Sequence, residues 1–127
     1  MRLLMIDDDP DMVSSVRTVM EAAGWEMVSA ANGVEGVEKA RQLGPDLIIL
    51  DILMPRKDGL STFEELRSEE ALKRIPIIVM TSVSEKLGFN FSASDMGTYY
   101  GHEPEAFLQK PFEPTVLLQT VQRVTRR

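Results

Sequence analysis

Cysteine is absent from the 127 residues. That excludes disulfides, zinc–thiolate sites and cysteine nucleophiles, and it is compatible with the cytoplasm, where the chain is expected to reside. Long apolar runs are missing too. No stretch approaches the roughly 20 residues of a membrane span, so no membrane association is expected. The apolar run at residues 3–6 turns acidic too soon for a signal peptide. There is no internal repeat, low-complexity tract or internal linker. Basic charge is in deficit: 14 bases against 20 acids give a net charge of −6. This argues against direct nucleic-acid binding by this domain and favours solubility. A chain of this length fits one domain, 1–127, and buries roughly two-thirds of its unfolded surface without staples.

What is present is an alternation of apolar runs with helical spacings. Leu3-Leu4-Met5-Ile6 and Leu47-Ile48-Ile49-Leu50 carry no polar alternation, as in strands buried on both faces. Asp9-Pro10 reads as a helix start, with Val13, Val16, Val19/Met20 and Ala23 inward and Gly24 as the stop. Residues 26–30 form the second strand. Asn32 caps a second helix, with Val34, Val37 and Ala40 inward and Gly44-Pro45 ending it. Met54-Pro55 and Asp58-Gly59 mark a turn-rich loop. A third helix covers residues 60–66, extending to about 68. Strands follow at 75–80 and 106–109. A last helix runs over 113–127, with Val116, Leu117, Thr120, Val121 and Val124 as its apolar stripe. Arg123, Arg126 and Arg127 form a small basic end, read either as favourable charge against the helix dipole or as the start of a linker to an effector domain. Strands alternating with helices predict an α/β fold with a mostly parallel five-stranded sheet, covered on both faces.

In such a sheet the carboxyl ends of the strands open into the ligand crevice. Every strand end but the second contributes a polar residue there. The first gives Asp7 and Asp8, the third Asp51, the fourth Thr81 and Ser82, and the fifth Lys110. Crowded carboxylates repel unless a cation lies among them, and oxygen ligands suit Mg²⁺. A carboxylate beside Mg²⁺ can accept a phosphoryl group, with Lys110 pairing one phosphoryl oxygen and Thr81 donating to another. Alone, an acidic triplet is a helix cap, an Asp after a strand is a turn residue, and a lysine is a surface charge. Their joint order is what points to phosphoryl transfer.

The pieces that carry a resemblance are Leu4-Met5-Ile6-Asp7-Asp8-Asp9-Pro10, Ala31-Asn32-Gly33, Asp46-Leu47-Ile48-Ile49-Leu50-Asp51, Met54-Pro55, Asp58-Gly59, Pro76-Ile77-Ile78-Val79-Met80-Thr81 and Phe107-Leu108-Gln109-Lys110-Pro111-Phe112. In this order they resemble a response-regulator receiver domain over nearly the whole chain. The resemblance implies a flavodoxin-like doubly wound sheet with strand order 2-1-3-4-5. It implies that Asp51 takes a phosphoryl group from a histidine kinase or phosphotransfer protein. It implies Mg²⁺ as cofactor, held by Asp7, Asp8, Asp51 and the backbone carbonyl of Leu53, with Asp8 the more direct of the first pair. Thr81 and Lys110 would bind the phosphoryl group. Thr81, Ser82 and Phe107 match the switch positions, though Phe107 also reads as an ordinary core aromatic. Lys110-Pro111 resembles the family's cis peptide. The expected role is a regulator that promotes only its own phosphorylation and dephosphorylation, passing the signal to an unnamed effector, with a homodimer as one option.

One stretch departs from the family. Thr81 and Lys110 are 29 residues apart (110 − 81), more than receivers usually use. Residues 84–104 hold three glycines, three serines and Tyr99-Tyr100, and residues 87–92 alternate without helical period. The family's fourth helix, between the fourth and fifth strands, is therefore expected to be absent, shortened or irregular. Phe89, Phe91, Tyr99 and Tyr100 then either cover the core or form an altered partner surface. His102 reads as a surface residue. Two other functions remain: an aspartate-nucleophile phosphatase, suggested by the Asp-x-Asp pair after the first strand, and a receiver-like protein-binding module working without phosphorylation.

Overall fold

The computed structural model describes residues 1–52, 59–81 and 104–125. Within them, five strands and four helices alternate: β1 (Arg2–Ile6), α1 (Pro10–Ala22), β2 (Glu26–Ala30), α2 (Gly33–Leu43), β3 (Leu47–Asp51), α3 (Gly59–Ser68), β4 (Ile77–Thr81), β5 (Ala106–Gln109) and α4 (Pro114–Thr125). The strands form one sheet in the order β2-β1-β3-β4-β5, and all four neighbouring pairs are parallel. This is the flavodoxin-like doubly wound arrangement expected of the sequence. The order reverses between β1 and β3, whose carboxyl ends therefore flank the crevice.

Side-chain alternation divides the core in two. Leu4, Ile6, Ile48, Leu50, Ile77 and Val79 face α2 and α3, meeting Val37, Ala40, Phe63 and Leu66. Leu3, Met5, Leu47, Ile49, Ile78 and Met80 face α1 and α4, meeting Val16, Met20, Leu117 and Val121. β1, β3 and β4 lie inside the sheet and are apolar on both faces, which is why their runs show no period of two. Burying each large side chain contributes about 1.5–3 kcal/mol.

Local signals set the helix ends. The Asp9 carboxylate accepts from Asp11 N–H, with Pro10 opening α1. Asn32 caps α2 by accepting from Glu35 N–H at 2.9 Å. Gly44 ends α2 in the left-handed region, φ 54°, where glycine carries no Cβ penalty.

Several inward assignments fail. Val34 is 59% exposed and Val116 43% exposed, and Ala23 is exposed past the end of α1. On α2 the buried face is made by Gly33, Gly36, Val37 and Ala40. Val34 lies about 110° round from the centre of that stripe at about 100° per residue. Val116 falls off the Leu117, Thr120 and Val121 stripe of α4 for the same reason. β4 begins at Ile77 and reaches Thr81, later than the expected 75–80. The expected loss of the fourth helix, the surroundings of its aromatics and His102, and the arginines at 126 and 127 lie outside the described residues.

Candidate functional site

Each site residue sits where a strand stops. Ile6 pairs with Leu50 across β1 and β3, so Asp7 and Asp51 follow at the same level of the sheet. Asp51 pairs with Met80, placing Thr81 one residue further along β4. Thr81 pairs with Gln109 on β5, and Lys110 N–H donates to the Thr81 carbonyl at 2.7 Å. Four strand ends thus deliver Asp7, Asp51, Thr81 and Lys110 to one edge.

Asp7 is 2% exposed, Asp51 5% and Thr81 8%, whereas Asp8 is exposed. Carboxylate oxygens of Asp7, Asp8 and Asp51 all lie within 4.8 Å of one another. Lys110 Nζ approaches Asp7 Oδ2 and Asp51 Oδ2, each at 3.4 Å. Asp7 Oδ1 also accepts from Asp9 N–H at 2.9 Å. Burial, with the Asp51 charge and hydrogen bond added, pushes the Asp7 carboxyl up to about 6, while Asp9 N–H and Lys110 pull it down. Among the described residues, three carboxylates face one ammonium, which leaves the site short of positive charge. An all-oxygen donor set with two buried members fits a small hard dication such as Mg²⁺. The approach of Lys110 to Asp7 was not read from the sequence, which placed the lysine against a phosphoryl oxygen only.

Two glycines allow this packing. A Cβ on Gly36 would come within 2.5 Å of the Ile6 side chain, immediately before Asp7. A Cβ on Gly59 would lie 2.2 Å from Ile52 Cα and 2.4 Å from the Asp51 carbonyl oxygen. Gly59 N–H donates to the Ile52 carbonyl at 3.0 Å, so α3 starts directly on the segment that carries Asp51. Asp58-Gly59 reads as turn chemistry in the sequence; the steric demand on Gly59 had no local signal.

Phe107 is half-buried against the α2–α3 side of the core. It pairs with Val79, two residues before Thr81 on the same sheet face. The Lys110–Pro111 peptide is cis. Leu53 and Ser82, the remaining expected ligand and switch residues, lie outside the described residues. No helix among the described residues is long and apolar enough to cross a membrane.

Residues 3–122 match the family model described as response regulator receiver domain. The DNA-binding dual master transcriptional regulator RpaA of Synechocystis is 35% identical over 99% of this chain and 49% of its own length. The chain spans about half the length of the first curated relatives it matches. Among solved structures, chemotaxis protein CheY4 of Vibrio cholerae superposes with a TM-score of 0.81 at 30% identity, covering 97% of each chain. The receiver domain of sensor histidine kinase PA1611 of Pseudomonas aeruginosa gives 0.83 at 25% identity, covering 99% of this chain and 98% of that one. That structure carries a magnesium ion coordinated in its active-site cleft. Sequence match, strand order and the acidic edge agree: the chain belongs to the response regulator receiver domain family of two-component systems.

Proposed function

We propose that residues 1–127 form one receiver domain whose Asp51 accepts a phosphoryl group from a phosphohistidine on a histidine kinase or phosphotransfer protein. The observation that carries this reading is the buried Asp51 carboxylate, held beside Asp7 and Asp8 within 4.8 Å and 3.4 Å from Lys110 Nζ. An Asp51 oxygen attacks phosphorus. The new O–P bond forms as the N–P bond breaks, and the imidazole nitrogen keeps the electron pair. Asp7, Asp8, Asp51 and the Leu53 carbonyl would hold Mg²⁺. Bound there, the ion supplies positive charge that offsets the phosphoryl oxygens and the acids.

Lys110 then exchanges its carboxylate neighbours for a phosphoryl oxygen, as a point charge. Thr81 donates its hydroxyl to a second oxygen, and Ser82, by its match to the family's small position, would regulate access. Phe107, on the Thr81 face of the sheet, follows the inward movement of Thr81. The added charge thereby shifts the loops that a partner reads. The domain acts on its own acyl phosphate and turns over no separate substrate. We place it in the cytoplasm, with a downstream effector and an optional homodimer as partners. An acidic receiver at net charge −6 is not where nucleic acid would be contacted.

Incubation with a small phosphodonor and Mg²⁺ tests the reading. Wild type gains one phosphoryl group, detected as a mass increase, and Asp51→Asn gains none. Equal labelling of Asp51→Asn overturns the assignment. Partner binding that Asp51→Asn leaves intact and phosphodonor leaves unchanged would favour the phosphorylation-independent module. Turnover of a generic phosphate ester would favour the phosphatase.

A further inference from the structure

Among the described residues β2 is an edge strand, paired with β1 alone. Glu26 N–H donates to the Met1 carbonyl, and the Ala30 carbonyl accepts from Asp7 N–H, each at 3.0 Å. Residues 26 and 30 therefore turn their backbone groups into the sheet. By alternation Met27 and Ser29 turn theirs outward. An edge of that kind is a template for another strand.

Both outward carbonyls are taken by cations. Arg17 Nη1, on α1, donates to the Met27 carbonyl at 2.9 Å. Lys39 Nζ, on α2, donates to the Ser29 carbonyl at 2.6 Å. α1 and α2 cover opposite faces of the sheet, so the two side chains reach round the edge from opposite sides. Arg17 is held in place by Glu21, one turn along α1, at 3.4 Å. Arg17 also lines a cavity with Asp7 and Asp8, whereas Lys39 lines a separate one with Asn32, Glu35 and Gln42.

We propose that Arg17 and Lys39 close the β2 edge against a second copy of this chain, whose own β2 is the strand that would add. A second copy is the occupant because β2 can pair with itself about a two-fold axis, so one free edge supplies both halves of the contact. In that pairing the Met27 and Ser29 carbonyls are the acceptors that the incoming N–H groups need. With both engaged, half of the outward backbone groups are withdrawn. The guanidinium and ammonium of each copy would also meet those of the other across the axis, and like charges at that range repel.

The test is the double variant Arg17→Met/Lys39→Met, which keeps the apolar stems and removes both cations. The proposal expects the dissociation constant for self-association, from sedimentation equilibrium, to fall at least about tenfold below that of the unsubstituted chain. It also expects Met27 and Ser29 amides to gain hydrogen-exchange protection as concentration rises. Unchanged association overturns the proposal, and so does tighter association in which those two amides keep their exchange rates. If the double variant loses its fold, Arg17→Met and Lys39→Met singly each bare one carbonyl. Concentration-dependent protection at Met27 or Ser29 in either then supports the proposal, and its absence in both overturns it.

Discussion

Lys110 Nζ stands 3.4 Å from Asp51 Oδ2 and equally far from Asp7 Oδ2. One ammonium thus neutralises part of the charge that a dication would otherwise meet. In the proposed reaction both would serve phosphoryl transfer, yet lysine and Mg²⁺ would compete for the same carboxylates. Lys110→Met is therefore expected to act in two directions. Mg²⁺ binding, followed by calorimetry, tightens several-fold because the competing charge is gone. Labelling of Asp51 by a small phosphodonor slows by at least about tenfold, because the partner of a phosphoryl oxygen is gone. Weakened Mg²⁺ binding in this variant would show that Lys110 organises the acids instead of opposing the ion.

The Asp7 carboxyl sets a pH dependence whose direction follows from its shift. It lies near 3.8 when unperturbed and at about 6 in the fold. The folded state holds this proton more tightly than the unfolded state. Below about pH 4 both states are protonated and the site contributes nothing. As pH rises from 4 to 6, the unfolded chain ionises first and metal-free stability falls, by an order of 3 kcal/mol in the limit. Urea titrations of wild type minus Asp7→Asn isolate this contribution. A rise in that difference over the same window contradicts the assignment. Ionised Asp7 is also the form that can ligate, so Mg²⁺ affinity is expected to increase through pH 6 and offset the loss.

Gly59→Ala tests the seat of α3 on the strand that ends in Asp51. The new Cβ would lie 2.2 Å from Ile52 Cα and 2.4 Å from the Asp51 carbonyl oxygen, both backbone atoms without freedom to rotate away. Either α3 or residues 51–52 must move. Stability should fall by about 1–3 kcal/mol, as for other overpacked sites, and Mg²⁺ affinity should fall with it. Gly24→Ala is the control: nothing lies within 4 Å of its Cβ, so its cost comes from φ 93° alone and Mg²⁺ affinity should hold.

Much of this fold could be read from the chain because physics acted locally. Residues 26–30 and 106–109 were expected as strands and are β2 and β5 with those bounds. The unbroken apolar runs of β1 and β3 announced burial on both faces, and the acids that end them announced the crevice. What could not be read depends on approach between segments far apart. Gly36 is buried because Ile6 occupies the space of its missing side chain, and hydrophobic periodicity gives glycine no weight. Val34 looked inward for the opposite reason: it is apolar and three residues from Val37, yet it sits beside the stripe. Arg67 offers no warning at all, since a lone arginine near a helix C-terminus ordinarily remains in water.

Arg67 is in fact 7% exposed, and it ties three elements together. Its Nη1 donates to the Lys73 carbonyl at 3.1 Å and the Ile75 carbonyl at 2.9 Å. Nη2 pairs with Glu105 Oε1, and the guanidinium lies 5.3 Å from the centre of the Phe63 ring. Glu105 Oε1 in turn accepts from Ile77 N–H at 2.7 Å. The C-terminal end of α3 is thereby fastened to the starts of β4 and β5, at the opposite edge of the sheet from Asp51. Arg67→Met keeps the contact with Phe63 but strands two carbonyls, and should cost about 2–3 kcal/mol. Glu105→Gln retains an oxygen that accepts from both donors and should cost about 1 kcal/mol. Chemical denaturation measures both. Asp51 labelling should persist in each folded variant, because the fastening lies a strand's length from the acceptor. Loss of labelling at undiminished stability would instead make this cluster part of the route between Asp51 and β5.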